Sequence, residues 1–110
     1  MNYKKMNPKY KDPWLKALRS GRRKQTEGNL ENSYGNCCLG VLCRVGRIKP
    51  SRAGNVTFFD GEDAYLSEGL REKFGIDFLA QRRLTTMNDG SLAHPKKNFR
   101  QIADWIEKYL

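Results

Sequence analysis

Residues 36–45 read NCCLGVLCRV and hold all 3 cysteines of the chain, at positions 37, 38 and 43. Metal binding, thiol redox chemistry and core packing all use such a segment. A metal site needs ligands aimed at one point. Adjacent Cys37 and Cys38 project about 100° apart on a helix and to opposite faces on a strand, and neither geometry suits two ligands to one ion. Cys38 and Cys43 have a permissible C-x4-C spacing, yet no second cysteine pair follows, and His94 is the single histidine. A redox site calls for C-x-x-C near a helix start, which this chain lacks. On a helix, Cys38, Val41, Leu42 and Val45 form a stripe at i, i+3, i+4 and i+7. A buried strand also accommodates so apolar a run, and either element places the cysteines in a core. In the helical reading Asn36 caps the start. Gly40, about 1 kcal/mol less favourable than Ala in a helix, then marks the close approach of another backbone. No metal and no cofactor is expected.

Around this segment the sequence predicts further helices. In DPWLKALRSG, Asp12 caps, Pro13 opens the helix, Trp14, Leu15, Ala17 and Leu18 form the apolar stripe, and Gly21 ends it. SEGLREKFG predicts a short helix capped by Ser67, with Leu70 and Phe74 on one face and Gly75 after its end. DFLAQRRL adds one or two turns after Asp77, and MNDG reads as a turn. The last element is the clearest. Asn98 and Gln101 form a capping-box pattern, and Phe99, Ile102, Ala103, Ile106 and Leu110 share one face, leaving Asp104, Glu107 and Lys108 to water. Between helices, NVTFF alternates and ends in Asp60-Gly61, so it predicts a strand, paired with Thr26–Leu30 in a small ribbon. The expected fold is α+β and mainly helical: about four short helices, led by 13–20 and 98–109, packed on a small antiparallel β-ribbon. Trp14, Leu18, Cys38, Leu42, Phe74, Ile102 and Ile106 are the expected core. Residues 1–11, rich in Lys, Asn and Tyr, read as a basic flexible arm before a single domain at 12–110.

The chain of 110 residues has a net charge of +9, and the excess is unevenly placed. Residues 1–52 carry 13 Lys and Arg against 3 acids, whereas residues 53–110 carry 8 against 9. A cationic half draws anionic partners. The candidate contacts are Lys9, Lys11, Arg19, Arg22, Arg23, Lys24, Arg44, Arg47, Lys49 and Arg52, with Lys4 and Lys5 nearby. Tyr3, Tyr10 and Tyr34 lie among them and can stack on bases. Arg19, Arg22 and Arg23 also sit at the negative end of a predicted helix, which by itself favours cations. No helix-turn-helix, RRM or zinc-finger pattern is present, so contacts to phosphates rather than base readout are expected. There is no apolar run of the roughly 18 residues that a membrane helix needs. Residues 1–13 lack the apolar core of a signal peptide, so a reducing cytoplasm is the expected compartment.

Catalytic patterns are missing. Asp60, Glu62 and Asp63 flank Gly61 but lack the alternation of a calcium loop, and read as a solvated turn. His94 stands beside Pro95 in a loop with no nucleophile tied to it. No phosphate-binding glycine loop or dinucleotide fingerprint occurs. The chain is therefore not expected to be an enzyme.

WLKALRSG (14–21), QTEGNL (25–30), CCLGVLC (37–43), LTTMND (84–89) and FRQIADWIE (99–107) resemble, in this order, a widespread family of small uncharacterised proteins of tailed bacteriophages. Its pattern is W-x-x-A-L-R-S-G, a CCLGVLC-like helix, L-x-x-x-N-D and F-x-x-I-A-D-x-I-E. The likeness spans residues 14–110 with gaps. It implies a phage source, and hence the host cytoplasm, and an approximate fold; it implies no activity. The expected function is a non-enzymatic phage accessory protein that binds nucleic acid through its basic half. The alternatives are an inhibitor or modulator of an acidic host protein and, ranked lower, a protein that sequesters a small ligand.

Overall fold

Apolar periodicity, caps and terminating glycines place five helices in the computed structural model, which describes residues 2–110. They are α1 (Pro8–Arg19), α2 (Cys38–Val45), α3 (Glu68–Phe74), α4 (Phe78–Asp89) and α5 (Phe99–Tyr109). Four short strands, β1 (Glu31–Asn32), β2 (Gly35–Asn36), β3 (Pro50–Ala53) and β4 (Val56–Phe59), form an antiparallel sheet in the order β2-β1-β4-β3. The fold is α+β. The Cα radius of gyration, 12.7 Å, matches the ~13 Å of a one-domain chain of this length.

The core centres on α2. Cys38, Val41, Leu42 and Cys43 are sealed from solvent and Cys37 nearly so, so the segment packs as a helix. The other expected core residues, Trp14, Leu18, Phe74, Ile102 and Ile106, are all buried. Trp14 Nε1–H donates to the Cys38 carbonyl at 2.9 Å, which locks α1 to α2. A Cβ on Gly40 would overlap the Leu30 carbonyl oxygen and lie 2.6 Å from its carbon, so the glycine admits the chain entering β1. Asn36 does not cap α2. Cys37 holds the cap position without a side-chain bond, and the Cys38 N–H instead donates to Asn88 Oδ1 at 3.1 Å. Asn88 lies within α4, so the expected turn at MNDG is instead the last turn of that helix, closed by Gly90.

The expected boundary between residues 11 and 12 falls inside α1. Asn7, not Asp12, caps this helix, with Pro8 as its first residue, and Pro13 lies in its interior. Ahead of it Met6 is buried, the Met6 N–H donates to the Leu110 carbonyl at 3.1 Å and Asn7 N–H to Phe74 at 2.9 Å. Tyr3 packs edge-on against Trp105, and Tyr10 against Phe74. Apolar docking onto the ends of α3 and α5 outweighs the cationic character that suggested an arm. Met1 lies outside the described residues.

The sheet is larger than a ribbon. β4 pairs with Glu31–Asn32, not with Thr26–Leu30, and its longer partner is β3, through the Gly54-Asn55 turn. All four β3 residues are exposed, so hydrophobic alternation could not reveal the strand. Ser67 and Asp77 cap α3 and α4 as expected, and Asn98 and Gln101 form the full reciprocal capping box of α5.

Candidate anion-binding site

The basic residues divide by what already holds them. Arg19 donates to Asp104 and Glu107 at 2.8 Å each, and these bonds raise its pKa. Lys11 Nζ donates to the Glu107 carbonyl at 3.2 Å. Arg44 makes a two-pronged contact with Glu31, Nε to Oε1 at 2.8 Å and Nη2 to Oε2 at 2.6 Å. These three of the candidate cations are engaged within the fold.

Glu31 anchors residues at the edge of the site. It is 6% exposed, on the central strand β1, and stands in a cross-strand row with Asn36, Thr57 and Arg52. Directly opposed residues share one face of a sheet. Asn36 Nδ2 donates to Glu31 Oε1 at 2.8 Å. The Arg44 guanidinium holds the Glu31 carboxyl down at about 2 against the opposing effect of burial, with Asn36 helping. The bond to Glu31 in turn raises Arg44.

Arg23 joins this network from outside. Its Nη1 lies 3.3 Å from Asn36 Oδ1 and 3.9 Å from Glu31 Oε1. The segment that carries it is pinned: Asn36 N–H donates to the Lys24 carbonyl at 2.8 Å, and Thr26 N–H to the Asn36 carbonyl at 2.8 Å. Arg22, Arg23 and Lys24 are therefore held against β2 just after the end of α1. With Lys16, Ser20 and Asn36 they line an open cleft of about 690 Å³. Among the described residues, Lys16, Arg22 and Lys24 form no ion pair. Lys16 was not among the expected contacts. Pro13, Lys16, Ala17 and Ser20 share one helix face by their i, i+3, i+4, i+7 spacing, and that face supplies one wall.

The remaining candidates do not join the cleft. Lys9 is exposed on α1, 5.5 Å from the Tyr10 ring centroid. Arg47 occupies a left-handed turn (φ 56°) after α2, and Lys49 leads into β3; both are exposed. Arg52 is exposed on β3 and lines a separate hollow beside the β3–β4 turn. Of the three tyrosines, only Tyr34 stands free, 69% exposed in the β1–β2 turn. Tyr3 and Tyr10 are packed against other rings.

The thiols offer no reactive centre. Burial pushes Cys37 up to about 11, and raises Cys38 and Cys43 further. His94 is exposed in the loop before α5.

Residues 6–53 match a family described as a domain of unknown function (DUF8296), which covers under half of the chain. The match runs from buried Met6 to the end of β3, so it includes α2 and the pinned basic segment, and begins within the stretch expected to be an arm. No curated protein and no solved structure matches the chain. The described residues contain no helix long and apolar enough to cross a membrane. What the chain resembles is thus a domain of unknown function over α1 to β3, and what it presents there is a cationic cleft braced by a buried carboxylate.

Proposed function

We propose that this protein is a non-enzymatic nucleic-acid-binding protein that grips phosphates in the cleft of Lys16, Arg22, Arg23 and Lys24. One observation carries the reading: these four cations line one open cleft, and among the described residues Lys16, Arg22 and Lys24 have no carboxylate partner. A pinned backbone presents these cations together, so phosphate binding has to order only their side chains. The sequence carries no base-reading motif, so contacts to phosphates that tolerate sequence are expected. The non-enzymatic reading is supported by the fate of the reactive groups, since every thiol is buried and Glu31 is consumed by Arg44. The phage setting and the host cytoplasm rest on the resemblance of CCLGVLC and its flanking motifs.

The test is fluorescence anisotropy with a labelled mixed-sequence DNA duplex at low salt. Binding is expected for the wild-type protein, and replacing Arg22, Arg23 and Lys24 together by Ala is expected to weaken it at least tenfold. Absence of any anisotropy change at low salt excludes the reading. A single host protein retained at one-to-one stoichiometry after nuclease treatment would favour the alternative, an acidic protein surface in the same cleft.

A further inference from the structure

We propose that the groove between residues 62–68 and α4 binds an unpaired nucleobase. The groove encloses about 580 Å³, and its lining includes Tyr65, Arg71, Phe78, Gln81, Arg82 and Asp89. Tyr65 is 51% exposed and Phe78 55%, whereas Phe59, Phe74 and Phe99 are buried in the core. Exposed rings in a concave surface offer flat platforms on which a planar group stacks. Arg71 already lies over Phe78, its guanidinium carbon 5.8 Å from the ring centroid.

Gln81 supplies the second, independent observation. It is only 5% exposed, and its Oε1 accepts the Leu66 N–H at 2.8 Å. That bond fixes the amide with Nε2 on the other side, and Nε2 finds no partner among the described residues. Among the described residues, no side-chain nitrogen or oxygen is both sealed from water and unpartnered, so this NH₂ is open to water, and Gln81 lines the groove. An amide whose oxygen is already committed turns its NH₂ to the groove, where it can donate to a ligand acceptor.

The remaining groups narrow the chemistry. Asp89 Oδ1 accepts from Asn88 Nδ2 at 2.9 Å, leaving the other carboxylate oxygen for a ligand donor. Glu62 and Glu68 also line the groove and offset Arg71 and Arg82, so a polyanion fits poorly. A planar ring with an edge acceptor and an exocyclic amine or a sugar hydroxyl meets all of these requirements; that is a nucleobase on its sugar. It has two sources: a free nucleoside, or a base splayed from a single strand. Lys24 lines the basic cleft and Gly28 lines this groove. Four residues span at most about 14 Å, which puts the two sites within reach of one strand. The single-strand source rests on the proposed cleft function, and the free-nucleoside source does not.

Titration of the ¹⁵N-labelled protein by NMR tests this, using adenosine, guanosine, cytidine and thymidine in turn, then a twelve-nucleotide single-stranded DNA. The expected result is movement of the Gln81 side-chain amide signals and of the backbone signals at Tyr65 and Phe78. Phe78→Ala removes a half-exposed ring and is expected to weaken binding about 5- to 100-fold. Shifts with a nucleoside identify the free source; shifts with the oligonucleotide alone identify the strand. The proposal is overturned if neither probe moves the Gln81 amide, or if binding survives unchanged in a Tyr65→Ala, Phe78→Ala double variant. Replacing Arg22, Arg23 and Lys24 by Ala should leave nucleoside shifts intact while weakening duplex binding at least tenfold, so failure of the cleft reading and failure of this one look different.

Discussion

Gly40 and Asn88 serve the same junction from opposite sides. Gly40 lets the Leu30 carbonyl approach α2, and Asn88 satisfies the helix's first N–H from 50 residues away. The glycine's role was legible in the sequence, because an expensive residue inside an apolar helix implies a packing reason. Asn88 was not, because a buried polar hub looks the same as a turn residue until its partners are known. Gly40→Ala is expected to cost about 3 kcal/mol or more, since the obstacle is backbone that cannot swing aside; chemical denaturation measures it. Glu31 gives a prediction in pH. Its carboxyl titrates at about 2 rather than at its ordinary 4.5, so the stabilisation is complete above about 4.5 and is lost as pH falls toward 2. Glu31→Gln should therefore cost about 3 kcal/mol at pH 6, and the gap to wild type should close across that window in urea unfolding measured at several pH values. An undiminished gap at pH 2 would show that the ion pair is not its source.

Helices were easier to read than strands. α3, α4 and α5 start at Ser67, Asp77 and Asn98, each bonding a backbone N–H as its residue type and spacing imply. Asn98→Ala should remove about 1 kcal/mol from α5, read as a small fall in denaturation midpoint with an unchanged slope. α1 misled because two prolines compete for its start. Pro8 takes the first position, and Pro13 is tolerated further in, where it forgoes one backbone bond. β3 carries no alternation to detect, since it is an edge strand exposed on every residue; its signal was the Gly54-Asn55 turn that joins it to β4.

In the whole molecule, segments distant in sequence meet, and this decides both the fold and the cleft. Residues 2–7 close over the ends of α3 and α5, so deleting them should lower the melting temperature by roughly 10 °C, chiefly by removing the buried Met6 side chain and uncovering the apolar surface it packs on, seen in a thermal scan. A detachable tail would leave the melting temperature unchanged. The charge asymmetry was plain in the sequence. Its division into engaged and available cations was not, because Asp104 and Glu107, which hold Arg19, lie some ninety residues away in α5. Pairing thus removes Arg19 and Arg44 from the pool of cations, and of those left Lys16 and the pinned Arg22–Lys24 segment gather in one cleft, whereas Lys9, Arg47, Lys49 and Arg52 lie apart from it.

The salt dependence of duplex affinity tests that face most directly. If four cations each displace one counterion, log K should fall with log salt at a slope of about −3.6, and the Arg22, Arg23 and Lys24 triple-alanine variant should retain a slope near −1. A variant that keeps the wild-type slope and affinity, or a wild type that shows no binding at low salt, would contradict the account.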